Sequence, residues 1–439
     1  MRASVGLDTL DPELLGLVVV RLDATSIPVF PLVCKRWRAG LLAHRQLRSG
    51  GKEHRRTRHG GGHGAYTTAL IEGCMPNLVK WAHACGASFD PDVCGLIAGT
   101  GDLDLLQWAR ASRFPWGTDA CARAAFNGHL EVIKWARANG CPWGWNACTA
   151  AAKGGHPEVI QWASTNGCPL EEWICSVAAK GGHLGVLQWA RTNGCPWGEL
   201  TCTLAAICGH LDTLKWARTN GCPWDGGTCR AAASNGHLET LCWARDNGCP
   251  WNEQTCAGAA ARGHLSILQW ARANGCPWGE RVCHEAAESG HLEVLQWARA
   301  NGCQWERRTC SSAASGGHLE VLKWARASGC PWDEQTCAAA AQGGHLEMLQ
   351  WARANGCPWN DWTCMGAARG GHLETLQWAR ANGCPWNEHV CINAAACGHL
   401  GVLLWAYANG CRWNGSILDH ARGSGNIEVI EWVKAIERA

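Results

Sequence analysis

Apolar and polar positions alternate between two textures along most of the chain. From residue 360, Thr363, Cys364, Met365, Gly366, Ala367 and Ala368 form a run of small residues. The stretch after it repeats Leu373, Leu376 and Ala379 at a spacing of three, with Trp378 beside them and Glu374, Gln377 and Arg380 between. The second texture predicts an amphipathic helix with the three charged or amide side chains in solvent. The first predicts a short helix that lets its neighbours come close. Asn360 and Asp361 suit a helix start, Gly370 and Gly371 permit the positive backbone angle that ends a helix, and His372 opens the second helix. Gly383 closes it before the connector Cys384-Pro385-Trp386. So wide a stripe on so short a helix has to be buried against the units before and after.

Those units exist. The block G-H-L-E-x-L-x-W-A-R-x-N-G-C-P-W recurs with a strict 27-residue period, its histidine at His129, His156, His183, His210, His237, His264, His291, His318, His345, His372 and His399. No insertion interrupts it. Counted by the second-helix tryptophan, from Trp81 to Trp432, there are about 14 units. The outer ones are atypical, as capping units are: Cys74-Met75-Pro76, Gly101-Asp102, and Gly425-Asn426 before Lys434, Glu437 and Arg438. The predicted fold class is all-α, an α-solenoid of about 14 helix pairs. Such a chain is a long surface for holding something.

Charge adds little: 39 Lys and Arg against 37 Asp and Glu give a formal +2, which offers no general pull towards nucleic acid or an anionic membrane. The longest apolar run, Leu14 to Val20, is too short to span a bilayer and follows Asp11 and Glu13, which argues against a signal peptide. The expectation is an intracellular protein, acting as a monomer.

Cysteine does change the picture. The 29 cysteines fall mostly into two ladders, one from Cys141 through Cys168 to Cys411, the other seven residues further on, from Cys148 to Cys391 and extended back by Cys94 and Cys121. In an intracellular setting they are reduced, small core residues. A zinc reading needs three or four convergent ligands, and C-x-x-C spacing is absent; six residues, spanning the connector and the next helix start, separate one ladder from the other. No metal site and no cofactor are expected. No nucleophile–base pair, phosphate loop or paired acidic site appears either, so the chain does not read as an enzyme.

The pattern T-x-x-x-A-A-x-x-G-H-x-x-x-L-x-x-A-x-x-x-G, over residues 65–439, resembles the ankyrin repeat. The family's Thr-Pro-Leu-His helix start appears as Thr255-Cys256 and Thr336-Cys337, its Gly-His junction as Gly344-His345, its helix-ending glycine as Gly356. The unit is about six residues shorter than the family's 33, the loss falling between Gly356 and Thr363 where the family builds its hairpin. Blunt loops are therefore expected. This short tryptophan- and cysteine-rich form is similar to repeats encoded by giant DNA viruses of amoebae, which would place the chain in a host cell's cytoplasm.

The opening residues differ. Leu10-Asp11-Pro12-Glu13-Leu14-Leu15, then Val18, Val20 and Leu22, then Val33-Cys34-Lys35-Arg36-Trp37-Arg38 resemble an F-box. Pro28 and Pro31 fall where that family has a continuous second helix, which a proline distorts. The resemblance implies that residues 5–48 dock a Skp-type adaptor of a cullin–RING ubiquitin ligase, through Leu10, Pro12, Leu14, Leu15, Val33, Cys34 and Trp37. The other reading is a helical cap on the first repeat. Residues 49–64 form a glycine-rich linker whose run Arg55-Arg56-Thr57-Arg58-His59 is read as solvated, with a weak nuclear signal as the alternative.

Recognition should lie where the repeats disagree. The third position after the connector tryptophan reads Asn146, Trp173, Leu200, Gly227, Gln254, Arg281, Arg308, Gln335, Trp362 and His389. Among these Trp173, Arg281, Arg308, Trp362 and His389, with Trp145 and Arg307 nearby, are the candidate target-binding residues. The connector tryptophans themselves, Trp116, Trp143, Trp197 and onward to Trp413 with Leu170 the one substitution, are expected to be spacers between repeats and not a stacking platform for bases. Drift on a solvent-exposed face is the alternative for every variable position.

Overall fold

The computed structural model describes residues 68, 71–73, 76–84, 89–90 and 92–438, except 117–118, 144–145, 172 and 414–416. The F-box-like segment 5–48 and the linker 49–64 lie outside the described residues. Every described element is helical; no strand occurs among the described residues. The chain falls into two compact units, residues 1–197 and 198–439.

In residues 198–439 each repeat is a helix pair. The unit beginning at Asn360 has a first helix at Asp361–Gly370 and a second at Leu373–Ala381. The Asn360 side chain accepts the Trp362 amide at 3.0 Å and so starts the first helix. Gly371 ends it at φ +79°, and Gly383 ends the second at φ +82°. Beyond each glycine the chain bonds back into the helix it leaves: the His372 amide donates to Ala367 O at 2.9 Å and the Cys384 amide to Ala379 O at 3.0 Å. Both are six-residue closures that satisfy the last carbonyls of a helix. Only six residues separate Leu346–Ala354 from Asp361–Gly370, so the connection is blunt.

First helices lie side by side: Asp361–Gly370 packs between Glu334–Gln342 and His389–Ala396, while each second helix rests on the first helix of its own repeat. The small residues permit this. A Cβ at Gly366 would stand 2.7 Å from the carbonyl oxygen of Ala338 on the neighbouring helix, closer than atoms pack. The core is then one thin layer per repeat: Thr363, Cys364, Ala367 and Ala368 from the first helix, Thr375, Leu376 and Ala379 from the second, and Cys384 from the connector, all at 2% exposure or less. Here the stripe differs from the sequence expectation. Thr375 is buried and Leu373 only half-buried. The second helix sits on one helix below it, so its i, i+1, i+4 face turns inward and its first residue stays at the rim.

In the first unit the described residues 93–192 repeat the design with helices Val93–Thr100 and Leu103–Ala111, Ala120–Phe126 and Leu130–Ala138, Ala147–Gly154 and Pro157–Thr165, Ile174–Gly181 and Leu184–Thr192. No described helix is long and apolar enough to cross a membrane.

Candidate protein-binding groove

The repeated polar residues are spent on holding repeats together. The His399 ring reaches back across a repeat to bond Arg369 O at 3.0 Å, His237 does the same to Ile207 O at 3.0 Å, and His183 to Lys153 O at 3.0 Å. The ring nitrogen is spent on the backbone of the neighbouring repeat, which leaves little of the ring for a ligand. Among the described residues no group of three or more His, Cys, Asp or Glu side chains converges on a point.

Connector tryptophans are half-buried. Trp359 meets the second-helix Trp378 of the next repeat edge to face at 5.9 Å, while Arg353 of its own repeat lies over its ring at 4.2 Å. The guanidinium also donates to the connector carbonyl, as Arg245 does to Cys249 O at 3.2 Å. One face is thus held by a cation and one edge by the next repeat, a spacer geometry. The exceptions fit. Where Leu170 replaces the tryptophan, Ser164 replaces the arginine, so the stack is lost as a pair. Where Tyr407 takes the arginine's place, Arg412 enters the connector and lies over the Tyr407 ring at 4.1 Å. The connector Trp413 is retained and packs on Tyr407 at 5.3 Å.

The variable positions are of a different kind. At five of them, Gly227, Gln254, Gln335, Trp362 and His389, the amide is tied down by the helix-start side chain two residues earlier, as Gln254 is by Asn252 at 3.0 Å and Trp362 by Asn360 at 3.0 Å; the helix starts at Arg281 and Arg308 carry no such bond. The variable side chains are free of the core. Asn146, Trp173, Leu200, Gln254, Arg281, Arg308, Gln335, Trp362 and His389 are exposed and Gly227 is half-buried. The helix starts therefore present a row of side chains that the core does not need.

In residues 198–439 part of that row borders an open groove of about 750 Å³, over the outward faces of the first helices Arg307–Gly316, Glu334–Gln342 and Asp361–Gly370. Arg307, Arg308 and Trp362 meet here, Trp362 at 48% exposure. Arg307 is partly committed to Asp333, Nε to Oδ2 at 3.4 Å. Arg281 lines a separate depression of about 170 Å³ and pairs with Glu285 at 3.2 Å. His389 lies outside both. In residues 1–197, Trp173 is 51% exposed but does not border the cavity of about 560 Å³ beside Asp119 and Arg123. Trp145 lies outside the described residues, as do all seven candidate adaptor-binding residues.

Sequence reasoning missed the groove's floor. Gln342, Arg369 and Asn393 line it although they are not helix-start positions; only the side-by-side packing of first helices brings them round. It also missed His284, on the first helix Arg281–Glu288. This ring is 7% exposed, and its Nε2 has no hydrogen-bond partner and stands 3.8 Å from Glu306 Oε1. Burial, then the Arg308 guanidinium, hold its pKa below the usual histidine value, against the opposing pull of Glu306. A histidine at the position where other repeats carry Ala257, Ser311 or Met365 was the available signal.

A family model for ankyrin repeats in many copies matches residues 121–163 and 283–326, one segment in each compact unit. Ankyrin repeats are thus supported in both. No curated protein matches the chain. Among solved structures, the human ASB11 ankyrin repeat domain is similar over 40% of this chain and 96% of its own, at 16% identity and a TM-score of 0.32. The pentatricopeptide repeat protein PPR10, solved with an 18-nt psaJ RNA element, is similar over 97% of this chain and 73% of its own, at 13% identity and a TM-score of 0.35.

Proposed function

We propose that this chain is a protein-binding scaffold and that the groove bordered by Arg307, Arg308 and Trp362 is where a target protein sits. The observation that carries the reading is the division of labour within each repeat. Histidine, arginine and tryptophan of the constant positions are consumed by contacts between and within repeats. The variable side chains at the helix starts are exposed, and Arg308, Gln335 and Trp362 share one groove. Exposed Trp and Arg on a preorganised backbone are the side chains that anchor interfaces, because they cover a large area and the backbone beneath them has no freedom left to lose. Binding, not catalysis, is the activity the groove supports.

The finer reading makes the chain a substrate receptor inside a eukaryotic host cell. Residues 5–48 would recruit a Skp-type adaptor and its cullin–RING ligase, and the repeats would raise the target's effective concentration beside it. The support for this part is the sequence pattern of residues 10–38, its specific part being the Val33-Cys34-Lys35-Arg36-Trp37 cluster. The test is affinity capture from host lysate with the full chain, a Val33→Asp/Trp37→Ala variant and an Arg308→Glu/Trp362→Ala variant. Loss of adaptor and cullin with the first variant, and loss of a separate protein with the second, support both parts. Capture of neither adaptor nor cullin by the unaltered chain sinks the ligase role. Indifference of every captured protein to the second variant removes the groove.

A further inference from the structure

One repeated feature is left without a use by the binding reading: the cysteines. Read from the sequence as separate reduced core residues, they meet in pairs. The thiol at the start of a first helix faces the connector thiol twenty residues later, in its own repeat, because the second helix runs back antiparallel and returns the chain to its starting level. Cys121 and Cys141 bring their sulfurs to 3.3 Å. The same pairing sets Cys148 beside Cys168, Cys229 beside Cys249, with the Cys229 thiol donating to Cys249 O at 3.9 Å, Cys256 beside Cys276 and Cys364 beside Cys384. All ten of these thiols are free and buried.

We propose that these paired thiols are oxidation sites, at which hydrogen peroxide closes a disulfide between the first helix of a repeat and that repeat's own connector. A disulfide bond is about 2.05 Å long, so the Cys121 and Cys141 sulfurs have about 1.3 Å to travel, a distance side-chain rotation covers. The step balances. Peroxide oxidises one thiol to a sulfenic acid and leaves as water. The second sulfur then attacks the first, the S–S bond forms as the S–O bond breaks, and hydroxide departs with the thiol proton as a second water. Each sulfur loses one electron and the peroxide oxygens take up two.

The two thiols of a pair are not equivalent. The first-helix thiol is pushed up, by donating its S–H to its partner and by burial, while the connector thiol is held down because its partner's S–H points at it. Little is given up on closure. The connector S–H makes one bond, to the carbonyl that opens its own repeat, Cys249 to Asp225 O at 3.3 Å and Cys384 to Asn360 O at 3.3 Å. The chain also carries its own controls. Cys94 is buried and pushed up to about 11 by burial, but Phe114 stands where its partner would be. Cys397 is exposed and belongs to neither ladder.

The experiment is peroxide treatment of the reduced full chain, alkylation under denaturing conditions, tryptic digestion and mass spectrometry. The digest separates the alternatives, because Cys249 and Cys256 share one tryptic peptide while Cys229 and Cys276 lie on others. The expected products are cross-links between peptides, Cys229 to Cys249 and Cys256 to Cys276, with Cys94 still alkylated. A Cys256→Ser variant, folded by circular dichroism, should leave Cys276 as a free thiol while Cys229–Cys249 still closes. Loop links between Cys249 and Cys256 overturn the proposal, as does full alkylation of the paired cysteines in a sample whose Cys397 has been oxidised. So does a Cys276 that finds another partner in the variant.

Discussion

Gly371 and Gly383 share a backbone conformation, at φ +79° and +82°, and differ only in what surrounds them. A Cβ at Gly371 would stand 2.6 Å from Nδ1 and 2.7 Å from Cε1 of His399 in the next repeat; at Gly383 it would meet nothing within 4 Å. Gly383→Ala should therefore cost only the left-handed strain, about 1–2 kcal/mol. Gly371→Ala carries that strain and also displaces the ring from its bond to Arg369 O, adding about 1–3 kcal/mol of overpacking. Repeat arrays do not unfold as one cooperative unit, so a global melt would blur the difference. The assay is native-state hydrogen exchange of the full chain, read over residues 361–408. About 1.4 kcal/mol corresponds to a tenfold change in protection, so Gly371→Ala should exchange roughly tenfold or more faster there than Gly383→Ala. Adding His399→Ala to Gly371→Ala should recover part of the loss, although it removes a hydrogen bond worth about 1 kcal/mol. Equal exchange of the two single variants, within about 0.5 kcal/mol, would refute the claim that the histidine ladder couples neighbouring repeats.

The missing stack can be restored. Ser164→Arg with Leu170→Trp should strengthen protection around residues 157–192 by about 0.5–1 kcal/mol, and either change alone should do less; equal effects of the singles and the pair would mean that the ring and cation do not act together. His284 makes residues 281–316 sensitive to acid. Its folded pKa lies below the ordinary 6.5, so as pH falls through that value the unfolded chain takes up a proton that the folded chain resists, and local stability is lost. Above about pH 7 there should be no such dependence. His284→Met, the residue found at the matching position 365, should flatten the acid limb of local exchange, and an unchanged limb would locate the sensitivity elsewhere.

Much of the fold was legible because its signals are local. Asn360 before a run of small residues, Gly371 and Gly383 at the helix ends, and a three-residue apolar spacing all act within one or two turns, and a 27-residue period multiplies them until no other reading competes. The exposure of the variable positions was legible for the same reason, since a residue just inside a capped helix start points away from a core built by the residues after it. What sequence left open depends on which helix lies beside which. Cys256 meets Cys276 and not Cys249, because an antiparallel return brings positions twenty apart to one level while the connector carries positions seven apart away from each other. Thr375 is buried ahead of Leu373, the connector tryptophans are half-covered, and Arg369 and Asn393 reach the groove of Arg308 and Trp362, all through the spacing of side-by-side helices. Sequence determined the helix pair and its repetition, through bonds and contacts a few residues long. The tertiary structure decided the partners, because contacts between helices depend on distances and directions that no single turn encodes.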